Sequence, residues 1–239
     1  MGKRSRSGCL SHGLVILHED RDILVVNKPA GLLTIATESG KSHTAYFILT
    51  NYVRKGCPRS RNRVFIVHRQ DRDTSGVLVF AKSEEAKLRL QARWRETEKK
   101  YLAVVYGRCQ KSADTITTHL TENKAHVVYS TSDPAEGKLS HTAYKVIKQT
   151  KAFALLEVDL LTGRKNQIRV HLAGIGHPIV GDKKYGREKQ LYSGLALHAR
   201  SIAFNHPFSG HRLTFTAEAP GHFHKLIGDN DQAAGPPST

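Results

Sequence analysis

The chain has 239 residues, 39% hydrophobic and 24% charged, enough apolar content for a folded core and too much to be wholly disordered. Thirty-seven Lys and Arg against 21 Asp and Glu leave a net charge of +16, a surface that attracts polyanions, of which the nucleic-acid backbone is the commonest. Three cysteines, Cys9, Cys57 and Cys109, odd in number and without a C-x-x-C pair, argue against a disulfide framework or thiolate zinc site and fit a reducing cytoplasm.

In chain order, residues 1–13 read as a flexible basic arm bearing Lys3, Arg4 and Arg6, with no apolar run long enough for a signal peptide. No later stretch approaches the ~18 apolar residues of a membrane span. Asp22 to Asn27 predicts a strand, stopped by the turn signal Lys28-Pro29-Ala30-Gly31. Residues 43–55 predict an amphipathic helix. Val64–Val67 and Gly76–Ala81 predict buried strands. Residues 83–97 predict a helix capped by Ser83, with Glu84 and Glu85 favourably placed in its first turn. Tyr101–Tyr106, Lys145–Lys148, Phe153–Leu161 and Leu213–Thr216 complete the strands, and residues 166–174 form a third helix starting at Asn166. Residues 229–239 read as a polar tail. With no linker or repeat between, 14–228 is one domain. Its strands and helices do not alternate regularly, so the expected class is α+β with a mixed, mainly antiparallel sheet and flanking helices.

Two polar segments stand out against this pattern. Val67-His68-Arg69-Gln70-Asp71-Arg72-Asp73-Thr74-Ser75-Gly76 lies between apolar strands, which hold a charged loop rigidly at both ends. Arg69 and Arg72 flank Asp71. The plain alternative is a local ion pair that orders the loop. Asp73 is expected to cap the turn through Thr74 and Ser75. In Leu161 to Leu172, Arg164, Lys165 and Arg169 gather at a helix start, which alone could be a phosphate-binding face. His206 with His211, and His222 with His224, lack a Cys or carboxylate partner at ligand spacing, so no metal is expected.

Taken together, four segments in order resemble the pseudouridine synthases that include the ribosomal large-subunit enzymes and related transfer-RNA enzymes. They are Glu19-Asp20 through Val25 to Gly31; His68 to Asp71 with Thr74-Ser75-Gly76 and Ala81-Lys82; Lys100 to Ala103 ending at Gly107; and Gly163-Arg164, Gln167 to Leu172, Gly176 to Ile179 and Gly181-Asp182. The match runs from about residue 15 to 217. The resemblance implies a central cleft, Asp71 as the essential carboxylate, Arg169 as its pairing cation and Tyr101 as the active-site tyrosine. It implies that Arg69 enters the space left by a flipped nucleotide, and that Arg72, Arg164, Lys165 and Gln167 contact RNA. Neither a metal nor an organic cofactor is implied. Two departures stand out: Gln70 where the family usually has Leu, and Lys165-Asn166 where Thr-His or Ser-His is common.

The opening strand begins some fifteen residues in, so the N-terminal RNA-binding domain of many relatives is expected to be absent. A compact ribosomal or transfer RNA stem-loop is then the expected substrate of a monomeric enzyme. A non-catalytic RNA-binding protein on the same fold and a hydrolytic nucleosidase are the competing readings.

Overall fold

β2 (Ile23–Lys28) and β4 (Ser75–Ala81) are nearly unbroken apolar runs. Such runs suit strands covered on both faces, and both lie inside the sheet rather than at its edge. The structure, a computed structural model, describes residues 8–36, 42–57, 59–186 and 192–228. Eleven strands among them form one sheet, ordered β1-β2-β4-β10-β5-β9-β8-β6-β7, with β3 added to β4 and β11 to β10. The remaining members are β1 (Val15–Glu19), β3 (Phe65–Ile66), β5 (Glu98–Tyr106), β6 (Ala113–Glu122), β7 (Val128–Thr131), β8 (Lys138–Gln149), β9 (Phe153–Leu160), β10 (Leu197–Asn205) and β11 (Arg212–Thr216). Neighbours are antiparallel except β4 and β10, which run parallel through His198 opposite Ser75 and Ala199 opposite Gly76. The α+β, mainly antiparallel expectation holds.

Helices cover this sheet on two faces. α1 (Ala45–Arg54) lays Ile48, Leu49 and Val53 over Leu24, Val26, Leu78 and Phe80. Thr44 caps it by accepting from the Phe47 N–H, and Lys55 ends it in the left-handed region. α2 (Glu84–Ala92) covers the opposite face, where Ala86 and Leu90 meet Ile23, Val25, Val77 and Val79. Ser83 caps it as expected, but the helix stops at Ala92 and Trp94–Glu96 follow as a 3-10 turn. α3 (Gln167–Gly174) packs against β6, β7 and β8. A short α4 (His222–Ile227) buries Phe223, Leu226 and Ile227.

Gly76 sits where β4 meets β10, with φ of +110° and space for no side chain: a Cβ there would lie 2.2 Å from the Ala199 carbonyl oxygen. Gly76→Ala is therefore expected to cost roughly 2–5 kcal/mol through overpacking and backbone strain. A melting temperature equal to that of the unaltered protein would contradict this close approach.

Residues 1–7 of the expected arm and the whole tail lie outside the described residues. Residues 8–13 are tied down instead: the Ile16 N–H donates to the Gly8 carbonyl, and Cys9 bridges Val15. Among the described residues, no helix is long and apolar enough to cross a membrane. The three cysteines are free. One histidine expectation is corrected, because the fold brings His206 to within 3.4 Å of Asp20 and 3.8 Å of Asp22, a meeting that sequence spacing cannot show.

Candidate active site

The site is built by a loop tied to its own strand. Residues 67–74 return alongside β4: the His68 Nε2 accepts from the Val79 N–H, and the Gln70 side-chain amide donates to the Val77 carbonyl at 2.7 Å. Gln70 also exchanges backbone bonds with the Thr34 hydroxyl, both 3.1 Å. Lys28 is fully buried at the end of β2 and donates to the carbonyls of Pro29, Leu32 and Arg72 at 2.8–3.0 Å. Burial pulls the Lys28 ammonium down to about 7, against the opposing charges of Asp73 and Asp71. Three acceptors match the three N–H groups of the ammonium, so hydrogen bonding also resists that fall. Together these bonds hold the backbone on both sides of Asp71.

Asp71, 27% exposed, meets Arg169 with its Oδ2 3.0 Å from Nη1. The arginine is anchored from behind. Its Nε and Nη2 form a fork onto Asp182, both bonds 2.8 Å, and the Asp182 side chain is fully buried. Asn166 accepts from Nη1 at 3.2 Å, and the Tyr185 ring lies 5.2 Å from the guanidinium carbon. Asp182 in turn accepts from the N–H groups of Lys184 and Tyr185. The Tyr185 hydroxyl accepts from Asn166 and from the Val128 N–H, both at 3.1 Å. Burial lowers the Arg169 pKa, but hydrogen bonds and charge from Asp182 and then Asp71 outweigh it, and the net shift is upward. For Asp182, burial pushes upward and the Arg169 bond outweighs it, so the net shift is downward. Arg169 thus stays cationic and offers one edge to Asp71.

Tyr101 lies level with Ala199, which is level with Gly76, so its side chain shares the sheet face of Leu78 and Phe80 that α1 covers. The phenol is buried; burial first, then the charge of Asp71, push its pKa up, and the hydroxyl stays protonated.

The flanking residues sort differently from expectation. Arg72 pairs with Asp73 at 3.2 Å, not with Asp71, so the loop's local ion pair exists one residue further on. Asp73 joins this exposed pair instead of capping the turn. Ser75 bonds to His198 at 2.8 Å. Arg69, Arg72, Arg164 and Lys165 all face solvent, and Lys165 reaches Glu122. Arg164 and Lys165 precede α3 rather than sharing a helix with Arg169.

Gln167 is a correction. It is 2% exposed, and its amide closes the turn before α3: the oxygen accepts from the Thr162 hydroxyl and the Arg164 N–H, while the nitrogen donates to the His141 carbonyl and the Thr142 hydroxyl. It shapes the loop and does not face RNA. Gln167→Ala is expected to cost about 1–3 kcal/mol by leaving buried groups unsatisfied, and a denaturation midpoint unmoved by the change would refute this role. Asp182 and Tyr185 had no role assigned from the sequence. The Gly181-Asp182 pair was the available signal.

Two histidines, half-buried His68 and buried His171, add a pH dependence. Burial, then Lys99, pulls His68 down to about 3, and burial, then His141, pulls His171 down to about 4. In the unfolded chain both protonate near 6.5. Between those values the unfolded state binds more protons, so stability falls as pH drops below 6.5 and the loss is complete only below about 3. Melting temperatures at pH 7.5 and 5 are expected to differ in that direction, and a flat profile would argue against neutral burial.

A largely enclosed arginine is thus shared between one fully buried carboxylate and one partly exposed carboxylate, beside loops that carry exposed cations. A family model described as RNA pseudouridylate synthase matches residues 22–174. The chain is 38% identical over 211 residues to an uncharacterized RNA pseudouridine synthase of Mycoplasma genitalium, covering 85% of this chain and 66% of that protein. It is 36% identical to the ribosomal large subunit pseudouridine synthase D of Zymomonas mobilis, covering 87% and 69%. It thus spans about two thirds of the length of these curated relatives. The solved structure of human RNA pseudouridylate synthase domain containing 4 superimposes with a TM-score of 0.73 at 25% identity, over 87% of this chain and 89% of that one. The chain belongs to the RNA pseudouridylate synthase family, whose reaction is the isomerisation of uridine within RNA.

Proposed function

We propose that this chain converts uridine to pseudouridine in a structured RNA, with Asp71 as the catalytic carboxylate. The observation behind the reading is the Asp182–Arg169–Asp71 relay, in which a buried salt bridge fixes the cation that orients Asp71. A uridine stacked in folded RNA must first leave its stack, at a cost of a few kcal/mol. Arg69, which is exposed, fills the vacated space. Arg72, Arg164 and Lys165 supply phosphate contacts, which give affinity without reading bases.

In the reaction the N1–C1′ bond breaks, the base turns, C5 bonds to C1′, and the C5 proton leaves while N1 gains one. Asp71 serves either by adding to C1′ or by taking the C2′ proton; each route needs the same carboxylate aimed at ribose. Tyr101, neutral and walled in, is suited to stack on the detached base and hold it. The large-subunit name of one relative favours a ribosomal RNA stem-loop as substrate, with transfer RNA as the second candidate. Pseudouridine mapping of total RNA from cells with and without the protein tests this. At least one stem-loop uridine is expected to lose modification, and an unchanged map would overturn the reading.

A further inference from the structure

Between α1 and β3 the chain reads Arg54-Lys55-Gly56-Cys57-Pro58-Arg59-Ser60-Arg61-Asn62-Arg63, five cations in ten residues and no acid. Lys55, Arg59, Arg61 and Arg63 are exposed. No ion pair among the described residues includes any of the five. Their local bonds are structural, such as Arg54 to the Asn62 carbonyl and Arg63 over the Phe65 ring at 4.8 Å. Arg63, Lys55, Arg21 and Lys82 also line a polar groove with a cavity volume of about 530 Å³, in which Glu19, bonded to Lys82 and Tyr52, is the single carboxylate. Gathering like charges this closely is repulsive, and a polyanion that binds there relieves the repulsion.

The place of this loop in the fold is specific. Phe65 pairs with Ala81, so Arg63 lies beyond the end of β4 that is remote from Ser75 and Asp71. Seven residues of strand separate the two ends, roughly 20 Å. α1 bridges the same interval: its first N–H donates to Leu33, beside the Thr34 that holds Gln70, and its last residue is Arg54. α1 and Tyr101 share one face of the sheet. A polymer seated at Asp71 can therefore continue over α1 to the loop without turning the edge of the sheet.

We propose that residues 54–63 form a second phosphate-binding surface that holds an RNA stem extending some 20 Å from the flipped uridine. The proposal rests on the RNA-modifying reading above. The loop contributes affinity and register, and takes no part in bond making. The substrate class it selects is a hairpin whose A-form stem is long enough to reach from Asp71 to the loop.

The test measures binding of two RNA hairpins with uridine-bearing loops, one with a stem of about four base pairs and one with about sixteen, across salt concentrations. The protein is compared with the Arg59→Gln/Arg61→Gln/Arg63→Gln variant, all three positions being exposed, with matched melting temperatures confirming the fold. For the long hairpin the slope of log affinity against log salt is expected to fall by about 2–3, near 0.9 per lost phosphate contact. The short hairpin and turnover at saturating RNA are expected to stay unchanged. Equal slopes for variant and parent on the long hairpin overturn the proposal and leave the activity standing. A variant that loses only binding to phosphatidylserine vesicles overturns it in favour of a lipid surface. Failure of the unaltered protein to bind either hairpin overturns the RNA reading itself.

Discussion

Replacing Asp71 with Asn is expected to lower the rate of pseudouridine formation by at least about 10³-fold, the scale set by loss of a positioned acid–base or nucleophilic group. The substitution keeps the shape and one acceptor oxygen for Arg169, so the fold and the cleft persist. RNA affinity is expected to hold or rise slightly, because a negative charge leaves a cationic surface. Single-turnover rates and binding measured on the same RNA separate the two effects. A variant that turns over normally would return the loop to its plainest role, an ordered ion pair. A variant that stops binding would make Asp71 a structural residue.

Replacing Arg169 with Leu acts on a different quantity. The guanidinium joins a fully buried carboxylate to a partly open one, and removing it takes from Asp182 the cation that balances its charge in the interior. Breaking such a pair from one side costs about 3–5 kcal/mol. For a chain of this size that is a fall of roughly 6–20 °C in melting temperature. Activity should fall as well, since Asp71 loses its orienting partner. Arg169→Lys keeps the charge, but a single ammonium cannot reproduce the planar fork onto Asp182 while reaching Asp71. It is expected to recover part of the stability and little of the rate. Melting curves and turnover for both variants check this. An Arg169→Leu protein as stable as the parent would show that Asp182 does not depend on its partner.

The sequence made the reacting end of this relay legible and hid its anchor. Asp71, Arg169 and Tyr101 stand in segments whose order and spacing resemble a family, so they could be named together although 98 residues separate the ion pair. Asp182 and Tyr185 lie within or next to the last such segment, but their part depends on a turn that aims two backbone N–H groups at one carboxylate. No periodicity reports that geometry. Gln167 reads as surface in a run of cations, and only the fold shows the turn it closes. Lys28 is a similar case, a charged residue held in the interior by three carbonyls.

Among the elements, β2 and β4 were plain because their apolar runs suit strands covered on both sides, and β5 and β9 because their apolar residues cluster or alternate along the strand. β6 and β7 escaped because the polar, Thr-rich stretch from Ala113 to Thr131 buries only Ile116, Leu120 and Val128 among its apolar positions. β10 escaped because His198, Arg200 and Ser201 interrupt it. His198 is buried against Ser75 and the Ala217 carbonyl, a pairing across 123 residues. β8 runs the full length from Lys138 to Gln149, where its alternating face predicted only Lys145–Lys148.

A carboxylate that rearranges a nucleoside without releasing its base leaves a product that nucleoside chromatography of digested RNA reads directly. After incubation with the unaltered protein, uridine lost should equal pseudouridine gained, with no free uracil in solution, and the Asp71→Asn reaction should show neither change. Free uracil in the supernatant, or an equal pseudouridine yield from both proteins, would contradict it.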